Sequence, residues 1–320
     1  MLNRNELVQN VRDTLVSAGF YVSDLVSMRP VGFDLVARRD NQLLIIKVLT
    51  NIDALSEEIA DELIRLSFLL KASPMIIGER KGTGKLEQNV VYDRFGIKSI
   101  SKETLKDHLL EGIPLHVYAA PGGLYVNLDH EKILRLRKEK EMSLGNLARR
   151  LKVSRKTIQK YEEGMNARVE VALRIEEMMD DGVTEPIEIL NQYYKKLKEE
   201  VPDVSEKEKQ KIKNYLQKEI FSILKELGYQ VVPLTRCPFE AVSKVKKNTL
   251  LTCIHKYDKK LLKKAKIVKS ISKITEKHAL LVTDKDVDKK NISGTPLFIK
   301  KELKKIRSPE EIFEILSERL

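Results

Sequence analysis

Apolar positions along this chain change period in blocks, and the blocks occur twice. Residues 5–19 and 206–227 space their apolar side chains at helical intervals and predict amphipathic helices. They end alike, in Leu15-Val-Ser-Ala-Gly-Phe-Tyr-Val22 and Leu224-Lys-Glu-Leu-Gly-Tyr-Gln-Val231. Strand-like runs follow: Pro30-Val-Gly-Phe-Asp-Leu-Val36 then Leu43-Leu-Ile-Ile-Lys-Val48, and Cys237-Pro-Phe-Glu-Ala-Val242 then Leu250-Leu-Thr-Cys-Ile-His255. A helix is expected at about 53–72 and again at about 257–274. Short apolar strands come next, Pro74-Met-Ile-Ile77 and Ala279-Leu-Leu-Val282, and a polar loop, a last strand and a helix close each segment. The agreement in order, with the Gly-aromatic-x-Val and Phe-acid matches, predicts a duplicated α/β unit.

Between the copies the pattern is helical and fine-grained. In residues 131–164 Ser143 is a natural N-cap, Leu144, Leu147, Ala148 and Leu151 form an apolar stripe, and Lys152-Val153 is a turn. Ser154 caps a second short helix with Ile158 and Tyr161 inward and Gly164 at its end. Arg155, Lys156, Gln159 and Lys160 then point outward near a helix start, the side-chain types that bond guanine, adenine and phosphate in a major groove. The alternative is a helical hairpin with a solvated basic face. A helix over 168–180 with Val171, Ile175 and Met178 inward should complete the domain. Another, over 184–200 and starting at Thr184-Glu-Pro186, presents Ile187, Ile189, Leu190 and Tyr194. Gly112-Ile-Pro114 and Pro121-Gly-Gly123 predict a hinge, with Leu124-Tyr-Val126 as a short strand. The expected domains are therefore 1–120 (α/β), 127–185 (all-α), 186–205 (helix and linker) and 206–320 (α/β).

Charge sharpens this picture. The net +12 is uneven: residues 1–120 hold 15 basic and 16 acidic residues, 121–200 hold 16 and 15, and 201–320 hold 28 and 16. The basic C-terminal segment implies either a second nucleic-acid surface or a lysine-rich surface composition of the kind thermophiles use. Within 131–160, eleven Lys or Arg face three Glu, so phosphate neutralisation would make binding strongly salt-dependent. Cys237 and Cys253 have no metal spacing, and His108, His116, His130, His255 and His278 are scattered; no metal or cofactor is expected. No apolar run reaches a membrane span and no signal-peptide pattern opens the chain, so a cytoplasmic protein is expected.

Gly78-Glu-Arg-Lys-Gly-Thr-Gly-Lys85 imitates a phosphate loop. Five residues rather than four precede Gly84-Lys85, and Leu86 replaces the hydroxyl that would hold Mg²⁺. A flexible basic loop is expected, and nucleotide hydrolysis is not.

The stretch Ser143-x3-Leu147-Ala148 with Val153-Ser154-Arg155-x2-Ile158-x2-Tyr161-Glu162-x-Gly164 resembles the lambda-repressor-like (Xre-type) helix-turn-helix domain over roughly residues 129–185. The resemblance implies that Arg155, Lys156 and Lys160 face bases or adjoining backbone and that Ser143 and Ser154 lie near phosphates. Relatives often carry Gln after the first capping serine; Leu144 stands here, so base preferences do not carry over. The outer copies resemble restriction-endonuclease-like domains, including Holliday-junction resolvases, whose chemistry needs two acids for a divalent cation and a lysine. Asp34 and Lys47 fall at two of these positions, but Ile45 occupies that of the middle acid. In the second copy Glu240 stands for the first acid and Thr252, Cys253 and Ile254 hold the critical strand, with His255-Lys256 beyond. Asp34 and Lys47 are vestigial candidates, equally readable as a leftover ion pair. The whole arrangement resembles a group of archaeal helix-turn-helix transcriptional regulators, which implies double-stranded DNA as partner and a homodimer. Rival readings are a DNA-processing nuclease targeted by the helix-turn-helix, which Ile45 argues against, and an antitoxin-like interaction protein. No effector is legible.

Overall fold

A computed structural model describes residues 3–26, 28, 31–191 and 214–320. In chain order the first half forms α1 (Arg4–Ser17), β1 (Tyr21–Val22), β2 (Leu35–Arg39), β3 (Gln42–Asn51), α2 (Glu57–Leu70), β4 (Ser73–Lys81), β5 (Gly84–Lys85), β6 (Val90–Arg94), β7 (Ile97–Ser101) and α3 (Lys102–Leu110). Next come β8 (Val117–Ala120), β9 (Gly123–Leu128), α4 (His130–Glu139), α5 (Leu144–Leu151), α6 (Arg155–Glu162), β10 (Ala167–Arg168), α7 (Val169–Met179) and β11 (Thr184–Glu185). The described C-terminal segment forms α8 (Tyr215–Glu226), β12 (Gln230–Pro233), β13 (Ala241–Val245), β14 (Asn248–Ile254), α9 (Lys259–Thr275), β15 (His278–Thr283), β16 (Asn291–Ile292), β17 (Thr295–Ile299), α10 (Lys300–Leu303) and α11 (Pro309–Glu318). No helix among the described residues is long and apolar enough to cross a membrane. The described residues gather into two compact units, one drawn from 1–14, 49–54 and 76–189 and the other from 15–48, 55–75 and 190–320.

In the first unit a sheet runs in the order β4-β7-β6-β8-β9-β10, with β5 added to β4 and β11 to β9. Two sequence expectations change here. The Gly112 and Gly122-Gly123 stretches are not a free hinge: β8 lies parallel to β6, Val90 opposite Val117, and antiparallel to β9, Val117 opposite Val126. Gly122 and Gly123 form the tip of that second pair, with φ of 95° and 141°, a backbone conformation that glycine takes without penalty. A Gly-Gly pair reads the same in a hinge and in a hairpin tip; the pairing strands decide. No helix starts at Thr184 either. Thr184 and Glu185 pair with Leu128 and Asn127 of β9, and residues 186–191 carry no regular element. The remainder of the expected 184–200 helix, Tyr194 and the Glu199–Ser205 linker included, lies outside the described residues.

The other unit holds α2 and, as an antiparallel meander, β1, β2 and β3. The same unit contains a six-stranded sheet in the order β12-β13-β14-β15-β17-β16, in which β14, β15 and β17 are parallel. Between β14 and β15 runs α9, whose buried Leu261, Ala265, Val268 and Ile271 keep helical spacing. The core below joins Leu216, Ile220 and Leu224 of α8 and Ile312 and Leu316 of α11 to Leu250, Leu280, Val282 and Phe298 of the strands. The expected helix over 206–227 is seen as α8, capped by Asn214; residues 206–213 lie outside the described residues.

Two strands start later than their apolar pattern suggests, for one shared reason. Asp34 and Glu240 immediately precede β2 and β13, and each backbone N–H donates to a carbonyl twelve residues on (Ile46 and Thr252, both 2.8 Å). Each carboxylate accepts an N–H fourteen residues on: Val48 at 2.8 Å and Ile254 at 2.7 Å. Phe33 and Phe239, one residue earlier, are both fully buried. An acid that bonds the neighbouring backbone holds residues 31–34 and 237–240 off the ladder, so the strands are Leu35–Arg39 and Ala241–Val245.

Candidate nucleic-acid interface

The helical region is built by caps that the sequence specifies locally. Asp129 accepts the Lys132 N–H, Ser143 the Asn146 N–H and Ser154 the Thr157 N–H, which starts α4, α5 and α6 in turn. Lys152 ends α5 in the left-handed region (φ 56°), and Val153 N–H returns to Ala148 carbonyl at 3.0 Å. That closure swings the chain into α6. Leu147, Ala148, Leu151, Ile158 and Tyr161 then share one core with Ile133, Val126, Leu128, Ala172, Ile175 and Met179. On α7 the fully buried positions are Ala172, Ile175 and Met179; Val171 and Met178, expected inward, are only partly buried at its margin. The strand residues in this core explain the β8–β9 pair: Val126 and Leu128 floor the helices while Ala167 and Arg168 pair with β9.

Every residue expected at the interface is exposed: Ser143, Ser154, Arg155, Lys156, Gln159 and Lys160. They are not equally free. The Ser154 hydroxyl is engaged by the Thr157 N–H (3.0 Å) and lies 2.8 Å from the Thr157 hydroxyl, and Gln159 Nε2 donates to Glu163 Oε1 at 2.9 Å. The Arg155 guanidinium lies across the first turn of α5. A Cβ on Gly145 would come within 2.8 Å of its Nε and Nη2, so glycine there leaves the room that the side chain uses. Exposed Arg149, Arg150 and Lys152 at the end of α5 extend the positive surface.

One of the eleven basic residues is not a surface charge. Arg137 of α4 clamps Glu162 of α6 through Nε–Oε1 (2.5 Å) and Nη2–Oε2 (3.0 Å), and its Nη1 donates to Met142 carbonyl at 3.0 Å. Both side chains are mostly covered, at 14% and 10% exposure. The bond to Glu162 lifts the Arg137 pKa above its ordinary value, against the effect of burial. Such a fork fixes the angle of α6 through α4. Arg137→Ala should cost about 2 kcal/mol of stability, between the values for surface and fully buried pairs. Urea unfolding checks this, and a change no larger than that of an exposed lysine such as Lys138 would deny the clamp its role.

The endonuclease-like constellation is also present, and its donors do not suit a divalent cation. Lys47 Nζ stands 3.7 Å from Asp34 Oδ2 and donates to Val31 carbonyl at 3.1 Å, while the same Asp34 oxygen takes the Val48 N–H. Ile45 is fully buried where a second carboxylate would be required, and Mg²⁺ needs oxygen ligands. Among the described residues no group of three or more His, Cys, Asp or Glu could hold a metal ion. In the C-terminal sheet the register Ala241↔Thr252 puts Cys253, one step on, opposite Glu240, where Lys47 stands opposite Asp34. The cation facing Glu240 is Lys264 of α9, bonded to its Oε1, and not His255 or Lys256 of the strand region. Burial, with Glu240 beside it, pushes the Cys253 thiol well up, and Cys237 and Cys253 are both free thiols.

A family profile described as the PD-(D/E)XK superfamily domain matches residues 4–115, and one described as helix-turn-helix matches residues 133–180. Over nearly its full length the chain is similar to archaeal proteins described as HTH-type transcriptional regulatory proteins. One from Methanospirillum hungatei is 35% identical over 315 residues, which cover 98% of this chain and 99% of that one. One from Methanocella arvoryzae is 37% identical over 320 residues (99% and 97%), and one from Methanocorpusculum labreanum 39% over 318 residues (99% and 99%). No solved structure matches the chain.

Proposed function

This chain belongs to the family of archaeal HTH-type transcriptional regulatory proteins, and from that premise we propose that α6 is the recognition helix and that Arg155 and Lys156 at its start read base edges. The family binds specific DNA sequences through the helix-turn-helix. The observation that carries the assignment is the division of α6 into two faces. Ile158 and Tyr161 are buried in the domain core, while Arg155, Lys156, Gln159 and Lys160 are exposed on one short, N-capped helix. Its first-turn amides, and those of α5 after Ser143, suit phosphates on either side of the groove. Gln159 must exchange Glu163 for a base or a phosphate.

The flanking segments support this reader without chemistry of their own. The matched spacings around Asp34 and Glu240 favour reading residues 206–320 as a second, degenerate PD-(D/E)XK-like domain. With one reader per chain, a symmetric homodimer on half-sites about one helical turn apart is the expected assembly, in the cytoplasm with the DNA it reads. Selection of bound duplexes from a random-sequence library tests the proposal. It should enrich a two-fold symmetric motif with half-site centres about 10 base pairs apart. Recovery of duplexes with no common motif would overturn it.

A further inference from the structure

A second basic feature stands on the sheet of the first unit. β4 and β5 make a hairpin, Arg80 opposite Lys85 and Lys81 opposite Gly84, across the turn Gly82-Thr83. The segment expected to be a flexible loop is therefore built. Gly82 takes φ 56°, as the first turn residue of a two-residue hairpin requires. Its N–H donates to Asp53 Oδ2 at 2.7 Å, and the Asn51 side-chain amide donates to its carbonyl at 3.1 Å. Asp53 N–H is held in turn by Asn51 Oδ1 at 3.0 Å, and Asp53 Oδ1 pairs with Arg94 at 3.4 Å. Lys81 through Lys85 are all exposed; Lys81 Nζ stands 5.6 Å from the centroid of the Tyr92 ring, and no ion pair of either lysine with a carboxylate is seen among the described residues.

Topology fixes where this tip lies. Arg94, tied to the tip through Asp53, ends β6, which runs parallel to β8. The end of β6 and the Gly122-Gly123 turn therefore share one edge of the sheet. Arg168, which opens α7, lies at that edge too: a Cβ on Gly122 would be 3.5 Å from its Nη2. Asp93 at the same edge is engaged by Lys98 and by the Gly96 N–H. The edge collects Lys81, Lys85, Arg94 and Arg168 on the sheet that floors the helix-turn-helix.

We propose that the β4–β5 hairpin tip is a second DNA contact, which takes backbone phosphates of the duplex beside the half-site read by α6. Two ammonium groups without an internal carboxylate supply the charge, and a Gly-Thr-Gly tip lets backbone and hydroxyl approach a phosphodiester closely. The exposed charged side chains at the tip itself are lysines, flexible point charges that suit phosphate better than the bidentate reading of a base, so the contact is independent of sequence. A turn already pinned by Asn51 and Asp53 loses little freedom on binding. The flanking position rests on the reading of α6 as the reader.

The test is the salt dependence of binding of the full chain to a mixed-sequence duplex long enough to span the reader's site and its flanks. Each phosphate contact contributes about 0.9 to the slope of log affinity against log salt. Lys81→Ala with Lys85→Ala should flatten that slope by about 1.8 and remove backbone protection outside the half-site, with the preferred motif unchanged. Both residues are exposed, so the fold should be retained; Lys81→Gln with Lys85→Gln repeats the measurement if the alanine variant melts early. An unchanged slope with an unchanged footprint overturns the proposal. A flattened slope from a chain that enriches no motif would keep the hairpin contact and remove the reader instead.

Discussion

Alanine at both Arg155 and Lys156 should lower affinity for the preferred site by roughly 2–5 kcal/mol, about thirty-fold to several thousand-fold, and leave the melting temperature in place. Both side chains are exposed on α6 and neither contributes to the core formed by Ile158 and Tyr161, so the loss belongs to binding. Arg155 should carry the larger share. Its guanidinium is already seated across Gly145, so less freedom is lost when a base is engaged. Affinity for unrelated duplexes should fall far less, because Arg149, Arg150, Lys152 and Lys160 still face phosphate. Titration of both duplexes with the wild type and the double variant checks this. Equal affinity of the two proteins for the preferred site would remove these residues from the reader.

The largest expected loss of stability lies far from the reader, at Glu62 of α2. This carboxylate is 2% exposed. It accepts the Thr235 N–H through both oxygens (3.0 and 3.1 Å), the Thr235 hydroxyl (2.7 Å) and the Arg236 N–H, and lies 3.6 Å from the Cys237 sulfur. The loop at 234–237 thus takes its shape from a residue more than 170 positions earlier in the chain. Glu62→Ala opens a hole the size of the lost side chain and leaves the half-buried Arg236 N–H without its acceptor, while the donors of the exposed Thr235 can turn to water. The cost should be about 2–3 kcal/mol in urea unfolding. The neighbouring Arg236–Glu58 pair, with Glu58 64% exposed, should cost little when removed. A loss below about 1 kcal/mol for Glu62→Ala would mean that the loop finds other acceptors.

What was legible in the sequence was local. Ser143 and Ser154 cap the helices they precede, because a cap needs only a side-chain oxygen and an amide three residues on. Asp34 and Lys47 are singled out only by the resemblance to endonuclease-like domains, because alternation along a strand does not give the register that sets the two opposite one another. What escaped depends on partners distant in the chain. Arg137 reads as one more positive charge until Glu162, 25 residues away, is brought against it. Lys264 supplies the cation for Glu240 from a helix, where strand periodicity could not point to it. Its only sequence signal was a lysine among the inward positions of an amphipathic helix, and Glu62 gave the same signal on α2. The strand starts at Leu35 and Ala241 came late because apolar pattern ignores a carboxylate that bonds the adjacent backbone.

Sequence recognition by α6 is tested most directly by retaining fragmented genomic DNA on the full chain near physiological salt. Wild type and the Arg155→Ala, Lys156→Ala variant are compared, and what each holds is sequenced. The wild type should hold a small set of palindromic sites upstream of genes, absent for the variant. Unselective retention, equal in the two proteins, would contradict it.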